Sequence, residues 1–186
     1  MIRGNLEEGD RCCKKILIYG VTGAGKTSLA TRLSRLTGIP CHLVDDMAFG
    51  PNWVPTDDED QVRAIEVIVT QDEWILDTAY GKWIDVPLSR VDLVIGLDYS
   101  RFFTFQRLFR RTFRRIFTGE PCCGGNRESL RLALSRKSIL LWHFQSYSRK
   151  RQRMRDWYEQ GSPRTLLFRS PRELDQWIVH EFPSRS

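Results

Sequence analysis

The sequence predicts an α/β fold: a parallel, five-stranded sheet with helices on both faces. Two observations lead there. Strand-like and helix-like segments alternate along the chain, and the strand-like segments are mostly unbroken apolar runs. Strands buried on both faces need such runs, and parallel neighbours need crossover helices between them.

KILIYG (15–20) is β-rich, ends in glycine and reads as a buried strand. Over 26–37, Leu29, Leu33 and Leu36 share one helical face, and Gly38 stops the helix. CHLVDD (41–46) is the second strand. A helix is expected from about Thr56, with Thr56 and Glu59 as a capping box and Val62, Ile65 and Val69 as its stripe. WILDT (74–78) and DLVIGLD (92–98) are two more buried strands, each bringing an acid to its end. Residues 102–117 form an amphipathic helix, with Phe102, Phe105, Phe109, Phe113 and Ile116 on one side and arginines over the rest. TGEPCCGGN (118–126) is a loop, and a bent or broken helical tract follows over about 127–160. TLLFRS (165–170) is the last strand; Ser170, Pro171 and Glu173 then open the final helix as N-cap, N1 and N3.

A length of 186 residues fits a single domain over 1–186, with a core at about 15–100 and 160–183 and a basic helical lid at about 101–158. No run of ~18 uncharged apolar residues occurs, so no membrane span and no membrane partner are expected. The N-terminus lacks the apolar centre of a secretory signal, and a cytoplasmic location is the default. The five cysteines include the vicinal pairs Cys12–Cys13 and Cys122–Cys123, a poor disulfide framework. They read as free thiols; zinc at Cys122 and Cys123 is the lesser alternative, because C-x2-C spacing is absent. His42, His143 and His180 make no metal pattern.

The net charge of +6 hides an asymmetry. Residues 101–155 hold 15 Lys or Arg against two acids, Glu120 and Glu128, so this segment is +13 and the remainder −7. A basic half on an acidic body suits an anionic partner, whether nucleotide phosphates, a nucleic acid or an acidic surface. Within it, SRKRQRMR (148–155) reads as a solvated basic helix face or as part of a phosphate-facing surface, with nucleic-acid contact a lesser alternative, since no helix-turn-helix or RNP motif supports it.

Chemistry is densest at GVTGAGKTS (20–28), a match to G-x4-G-K-[ST], the Walker A pattern, between a strand and a helix. Glycines let the backbone wrap an anion and aim N–H groups at it, and the helix start adds partial positive charge. Gly20, Thr22, Gly23, Ala24, Gly25, Lys26, Thr27 and Ser28 are therefore the expected nucleotide contacts, with Lys26 at the β and γ phosphates and the Thr27 hydroxyl on Mg2+. The expected cofactors are ATP and Mg2+. Ligands on parallel sheets bind where strands end, and there the sequence puts Asp45, Asp46, Asp77 and Asp98. A carboxylate at Asp45 could orient or deprotonate an acceptor hydroxyl, and Asp98 is expected to reach Mg2+ through water. Each acid alone also reads as a strand-end or helix cap. Trp53, Trp74, Trp83 and Tyr80 read either as core or as an aromatic wall for a substrate ring, with Trp53 and Tyr80 as its substrate contacts.

At these residues the chain resembles the small P-loop kinases related to adenylate, shikimate and gluconate kinases. More narrowly it is similar to the adenylate-kinase-like proteins called DNA topology modulation proteins. The resemblance is carried by GVTGAGKTSLA (20–30), HLVDDMAFGPNWV (42–54), WILDTAYGKW (74–83), DLVIGLD (92–98) and RLFRRTFRR (107–115), and it spans about residues 15–180. It implies a three-layer P-loop NTPase fold with an arginine-rich lid, Asp45 and Asp77 beside the acceptor, and lid arginines among Arg107, Arg110, Arg111, Arg114 and Arg115 closing on ATP, with Arg111 and Arg115 taken as catalytic beside Lys26 and Asp45. Asp77-Thr78 stands where relatives carry Asp-Gly. The function read from all this is phosphoryl transfer from ATP to a small acceptor, nucleotide-like or hydroxyl-bearing. The alternative is a nucleic-acid-associated regulatory ATPase; nucleic acid is not the favoured partner, since basic residues beside such a loop already have phosphates to serve. No N-K-x-D segment points to a GTPase switch and no L-S-G-G-Q-like segment to a transporter ATPase.

Overall fold

The computed structural model describes residues 13–78, 80–123, 125–133, 135 and 138–182. Cys12 lies outside them. Five strands, β1 (Lys15–Gly20), β2 (Cys41–Leu43), β3 (Trp74–Thr78), β4 (Leu93–Leu97) and β7 (Thr165–Phe168), form one parallel sheet in the order β2-β3-β1-β4-β7. A short antiparallel hairpin, β5 (Pro121–Cys122) with β6 (Asn126–Arg127), stands apart, where the sequence suggested only a loop. The helices are α1 (Lys26–Thr37), α2 (Val44–Met47), α3 (Asp58–Val69), α4 (Asp85–Leu88), α5 (Arg101–Thr118), α6 (Leu130–Ala133), α7 (Ile139–Gln160) and α8 (Pro171–Glu181).

The central strand shows why the sheet needs two covers. In β1, Ile16 and Ile18 face one way into a core with Leu29, Ala30 and Leu33 of α1 and Leu174, Trp177 and Ile178 of α8. Leu17 and Tyr19 face the other way, against Ile65, Ile68 and Val69 of α3 and Met154 and Trp157 of α7. Each of these large side chains, removed from water, contributes roughly 1.5–3 kcal/mol, so a strand apolar on both sides is stable only inside such a three-layer sandwich.

Two local expectations are corrected. β2 ends at Leu43, and Asp45 and Asp46 lie in the first turn of α2 rather than at the end of a strand. Asp57, not Thr56, caps α3: its carboxylate accepts from the Glu59 N–H at 2.9 Å, while the Thr56 hydroxyl donates to the Met47 carbonyl. The tract over 127–160 is broken, as expected, into α6 and one long helix, α7, capped by the Ser138 hydroxyl, with β6 at its start. At the C-terminal helix, Ser170 accepts from the Glu173 N–H at 3.3 Å, and Glu173 Oε2 accepts from the Arg169 N–H at 2.7 Å. Among the described residues no helix is long and apolar enough to cross a membrane.

Candidate active site

The site is assembled at the carboxyl ends of β1, β3 and β4. β1 delivers the chain into a turn, Val21 to Gly25, closed by the Ala24 N–H on the Val21 carbonyl at 3.1 Å, and α1 begins at Lys26. Two glycines are required here. Gly25 caps α1 at φ 99°, and Gly23 stands at φ 85° with the α5 backbone against it: a Cβ would lie 2.4 Å from the Thr104 carbonyl oxygen. Any side chain at position 23 would therefore push α5 off the loop. His143 of α7, wholly buried, holds the same loop from above, donating from Nδ1 to the Thr22 carbonyl at 3.1 Å. Burial pushes its pKa down, which suits a neutral donor.

Lys26 Nζ approaches the Val21 carbonyl at 3.4 Å, a loose contact. The Thr27 hydroxyl donates to Asp77 Oδ2 at 2.6 Å. Asp77 is 4% exposed and belongs to β3, hydrogen-bonded alongside β1. Burial raises its pKa, opposed by the Lys26 ammonium and the Thr27 hydroxyl. A hydroxyl and a buried carboxylate in contact are the hard oxygen donors that Mg2+ takes alongside phosphates and water. The residues present therefore fit the ion, through Thr27 and Asp77.

Asp98, expected on Mg2+, has another employment. Its carboxylate is 1% exposed and accepts from Arg151 Nε on one oxygen and from Arg155 Nε and Nη2 on the other, at 3.1 and 2.9 Å. Both arginines come from α7, so Asp98 ties that helix to the sheet. Asp77, expected beside the acceptor, is the acid at the Thr27 hydroxyl.

On the other side, Asp45 is exposed in α2 and faces Tyr80, Arg111 and Cys123. Burial and then the Asp45 carboxylate raise the Tyr80 pKa, so its phenol stays protonated and able to donate. Arg111 and Arg115 lie close together on α5. Burial and then Arg115 lower the Arg111 pKa, and Nε of each is buried without a hydrogen-bond partner. Glu128 answers Arg115 at 3.7 Å. Burial and the Asp45 charge push the Cys123 thiol up to about 12, so it stays protonated rather than acting as a thiolate. Cys122 is also free, and among the described residues no group of three or more His, Cys, Asp or Glu could hold a metal.

The four aromatics do not form one wall. Trp74 is buried in the core. Trp83 is buried and stacks on Tyr80, ring centroids 5.8 Å apart. Trp53, at φ 59°, anchors the β5–β6 hairpin, donating from its backbone N–H to Asn126 Oδ1 at 2.9 Å and from Nε1 to the Arg127 carbonyl at 3.1 Å. Of these four, Tyr80 is the one that faces Asp45.

Of the arginines expected in the lid, Arg107 of α5 reaches the Val21–Gly25 turn: a Cβ on Gly25 would lie 3.0 Å from its Nη2. One cation, Lys150, was not among the expected site residues. Lys150 of α7 is 6% exposed, and burial followed by the Lys26 ammonium pushes its pKa down to about 7. The signal for Lys150 was present. His143, Tyr147, Lys150, Met154 and Trp157 are all buried and fall at helical spacing, so the stripe of α7 runs through a lysine inside what reads as a solvated basic run.

No protein-family model matches the chain, and no curated protein matches it. Solved structures do. A shikimate kinase from Acinetobacter baumannii in complex with shikimate superposes with TM-score 0.55 at 18% identity, covering 95% of this chain and 96% of that one. A gluconokinase from Sinorhizobium meliloti 1021 gives 0.53 at 16%, covering 91% and 89%. A shikimate kinase from Bacteroides thetaiotaomicron gives 0.54 at 12%, covering 89% and 94%. The fold is that of the P-loop small-molecule kinases. In this chain both strands flanking β1 bring an acid to the same edge: Asp77 accepts from the Thr27 hydroxyl and Asp98 holds α7.

Proposed function

We propose that the chain is an ATP- and Mg2+-dependent phosphotransferase acting on a small-molecule acceptor, nucleotide-like or hydroxyl-bearing. The observation that carries this reading is the Thr27–Asp77 contact at 2.6 Å, next to Lys26 at the start of α1. A glycine turn built only for packing needs no lysine, hydroxyl and buried carboxylate together.

In this reading the amides of residues 22–28 and the Lys26 ammonium grip the polyphosphate. Bound Mg2+, held by Thr27 and Asp77, supplies charge neutralisation on the phosphates. Arg107 lies over the loop, and Arg111 and Arg115 approach from the same helix to offset charge on the transferred group, an effect worth on the order of 10^3-fold in rate. Asp45 orients the acceptor hydroxyl and takes its proton, with the Tyr80 phenol as a second contact. His143 holds the loop and excludes water behind it. A cytoplasmic location belongs to the same proposal. The narrower likeness to the topology-modulation group rests on HLVDDMAFGPNWV and WILDTAYGKW alone.

The regulatory-ATPase reading is weaker, because much of the basic segment is engaged within the molecule. Arg151 and Arg155 hold Asp98, Arg114 holds Glu120, and Arg115 faces Glu128. The deciding experiment is an acceptor screen, with sugars, nucleosides, nucleotides and hydroxy acids, that reads ADP release with Mg-ATP. Acceptor-dependent release supports the proposal; a folded, ATP-binding protein that releases no ADP with any acceptor contradicts it.

A further inference from the structure

Five large apolar side chains stand in water on one side of the α5–α7 pair: Phe102 is 77% exposed, Phe109 43%, Phe117 79%, Leu141 40% and Phe144 46%. Phe109, Phe117 and Phe144 belong to a continuous phenyl ladder, and Phe102 lies two helical turns before Phe109 on the same side of α5. Along α5, Phe105, Phe109, Phe113 and Phe117 follow one another with centroids 6.2, 4.3 and 6.5 Å apart, and Phe144 of α7 meets Phe105 at 4.8 Å. A connected apolar face of this kind on a globular domain marks an interaction surface. Position 102 alone would be unremarkable; the ladder is what makes a surface.

Charge identifies the partner. α5 carries six arginines and no acid, and no acid occurs from Ser129 to Arg155. Arg101 and Arg110 are exposed beside the ladder. A second copy of the chain is a poor occupant, since a self-complementary contact would set arginines against arginines. A single nucleic-acid strand is poor too. It needs open ring faces for stacking, and these phenyls lean on one another at interplanar angles of 35–52°. An apolar stripe flanked by arginines on an otherwise polar helix matches a helix lying in a lipid interface, with phenyls in the acyl boundary and guanidinium groups at acidic headgroups. Such docking needs no span, and none is present among the described residues.

We propose that the α5–α7 phenyl ladder docks peripherally on an anionic lipid surface. The helix that would lie on the lipid is also the helix whose backbone seals Gly23 and whose Arg107 reaches Gly25. The proposal does not rest on the kinase reading, and the two can fail separately.

The test is co-sedimentation of the full chain with vesicles of phosphatidylcholine containing phosphatidylserine, and with phosphatidylcholine alone. Binding to the acidic vesicles is expected, weakened at high salt, and weakened at least tenfold in a Phe102→Glu/Phe117→Glu variant. Both positions are more than three-quarters exposed, so the variant should keep the parent melting temperature and the parent response to Mg-ATP. Equal binding by parent and variant, equal binding to neutral vesicles, or no binding overturns the proposal. So does a concentration-dependent dimer, or capture of a single-stranded oligonucleotide, that the same two substitutions abolish.

Discussion

The Thr27 hydroxyl and the Asp77 carboxylate, 50 residues apart in sequence, meet at 2.6 Å between the first turn of α1 and the end of β3. This contact joins the start of α1 to the neighbouring strand. Asp77 bears the cost of burial to be there, since burial raises its pKa above the ordinary 3.8. Replacing it with Asn should therefore leave the fold intact and abolish the Mg2+-dependent part of ATP binding, with turnover falling by about 10^2-fold or more. Titration of the variant with ATP, with and without Mg2+, checks this.

The same residue predicts a pH dependence. A carboxyl whose folded pKa exceeds its unfolded value favours the folded state fully below the unfolded value, and loses that contribution as pH rises through the folded one. Asp77→Asn should thus match the parent in stability near pH 3.8 and below, and gain on it as pH rises from there to the raised folded value. Urea unfolding of both proteins across that window reads the difference directly.

Lys150 runs the other way. Its pKa is lowered from 10.5 to about 7, so its buried ammonium penalises the folded state fully below about pH 7, and the penalty fades as pH rises to 10.5. Lys150→Met should be more stable than the parent at pH 6, with the advantage vanishing towards pH 10.5. In the parent near pH 8, bound triphosphate should restore the ammonium, and calorimetry in buffers of different ionisation heat should show proton uptake on binding.

Asp98 separates structure from catalysis. Its carboxylate is 1% exposed between two arginines that keep 36% and 38% of their side chains in water. Removing one member of a fully buried pair costs about 3–5 kcal/mol. Because the arginines are partly solvated, Asp98→Ala should cost less, about 2 kcal/mol in urea unfolding. Its Mg2+ dependence of ATP binding should not change; a lost Mg2+ response would return Asp98 to the metal.

How far the sequence could be read follows from these residues. The loop and the sheet were legible because each rests on local chemistry: KILIYG must be buried on two faces, and Gly-Lys-Thr after a strand has one economical use. That Asp77 meets Thr27 while Asp98 pairs with α7 was not legible. Both acids end strands adjacent to β1, and what separates them is Arg151 and Arg155, 53 and 57 residues beyond Asp98. Trp53 reads as a substrate ring until the hairpin over 121–127 supplies Asn126 and the Arg127 carbonyl to hold it. Lys150 was hidden by its neighbours, since a basic run looks solvated unless the helical phase is carried through it.

The central claim is that the Val21–Gly25 turn, Lys26, Thr27 and Asp77 form a triphosphate site. Calorimetric titration of the full chain with Mg-ATP, beside Lys26→Ala, tests it most directly. One site per chain is predicted, lost in Lys26→Ala while the melting temperature of the unliganded variant stays near that of the parent. No heat of binding from the folded parent, or equal affinity in both proteins, would contradict it.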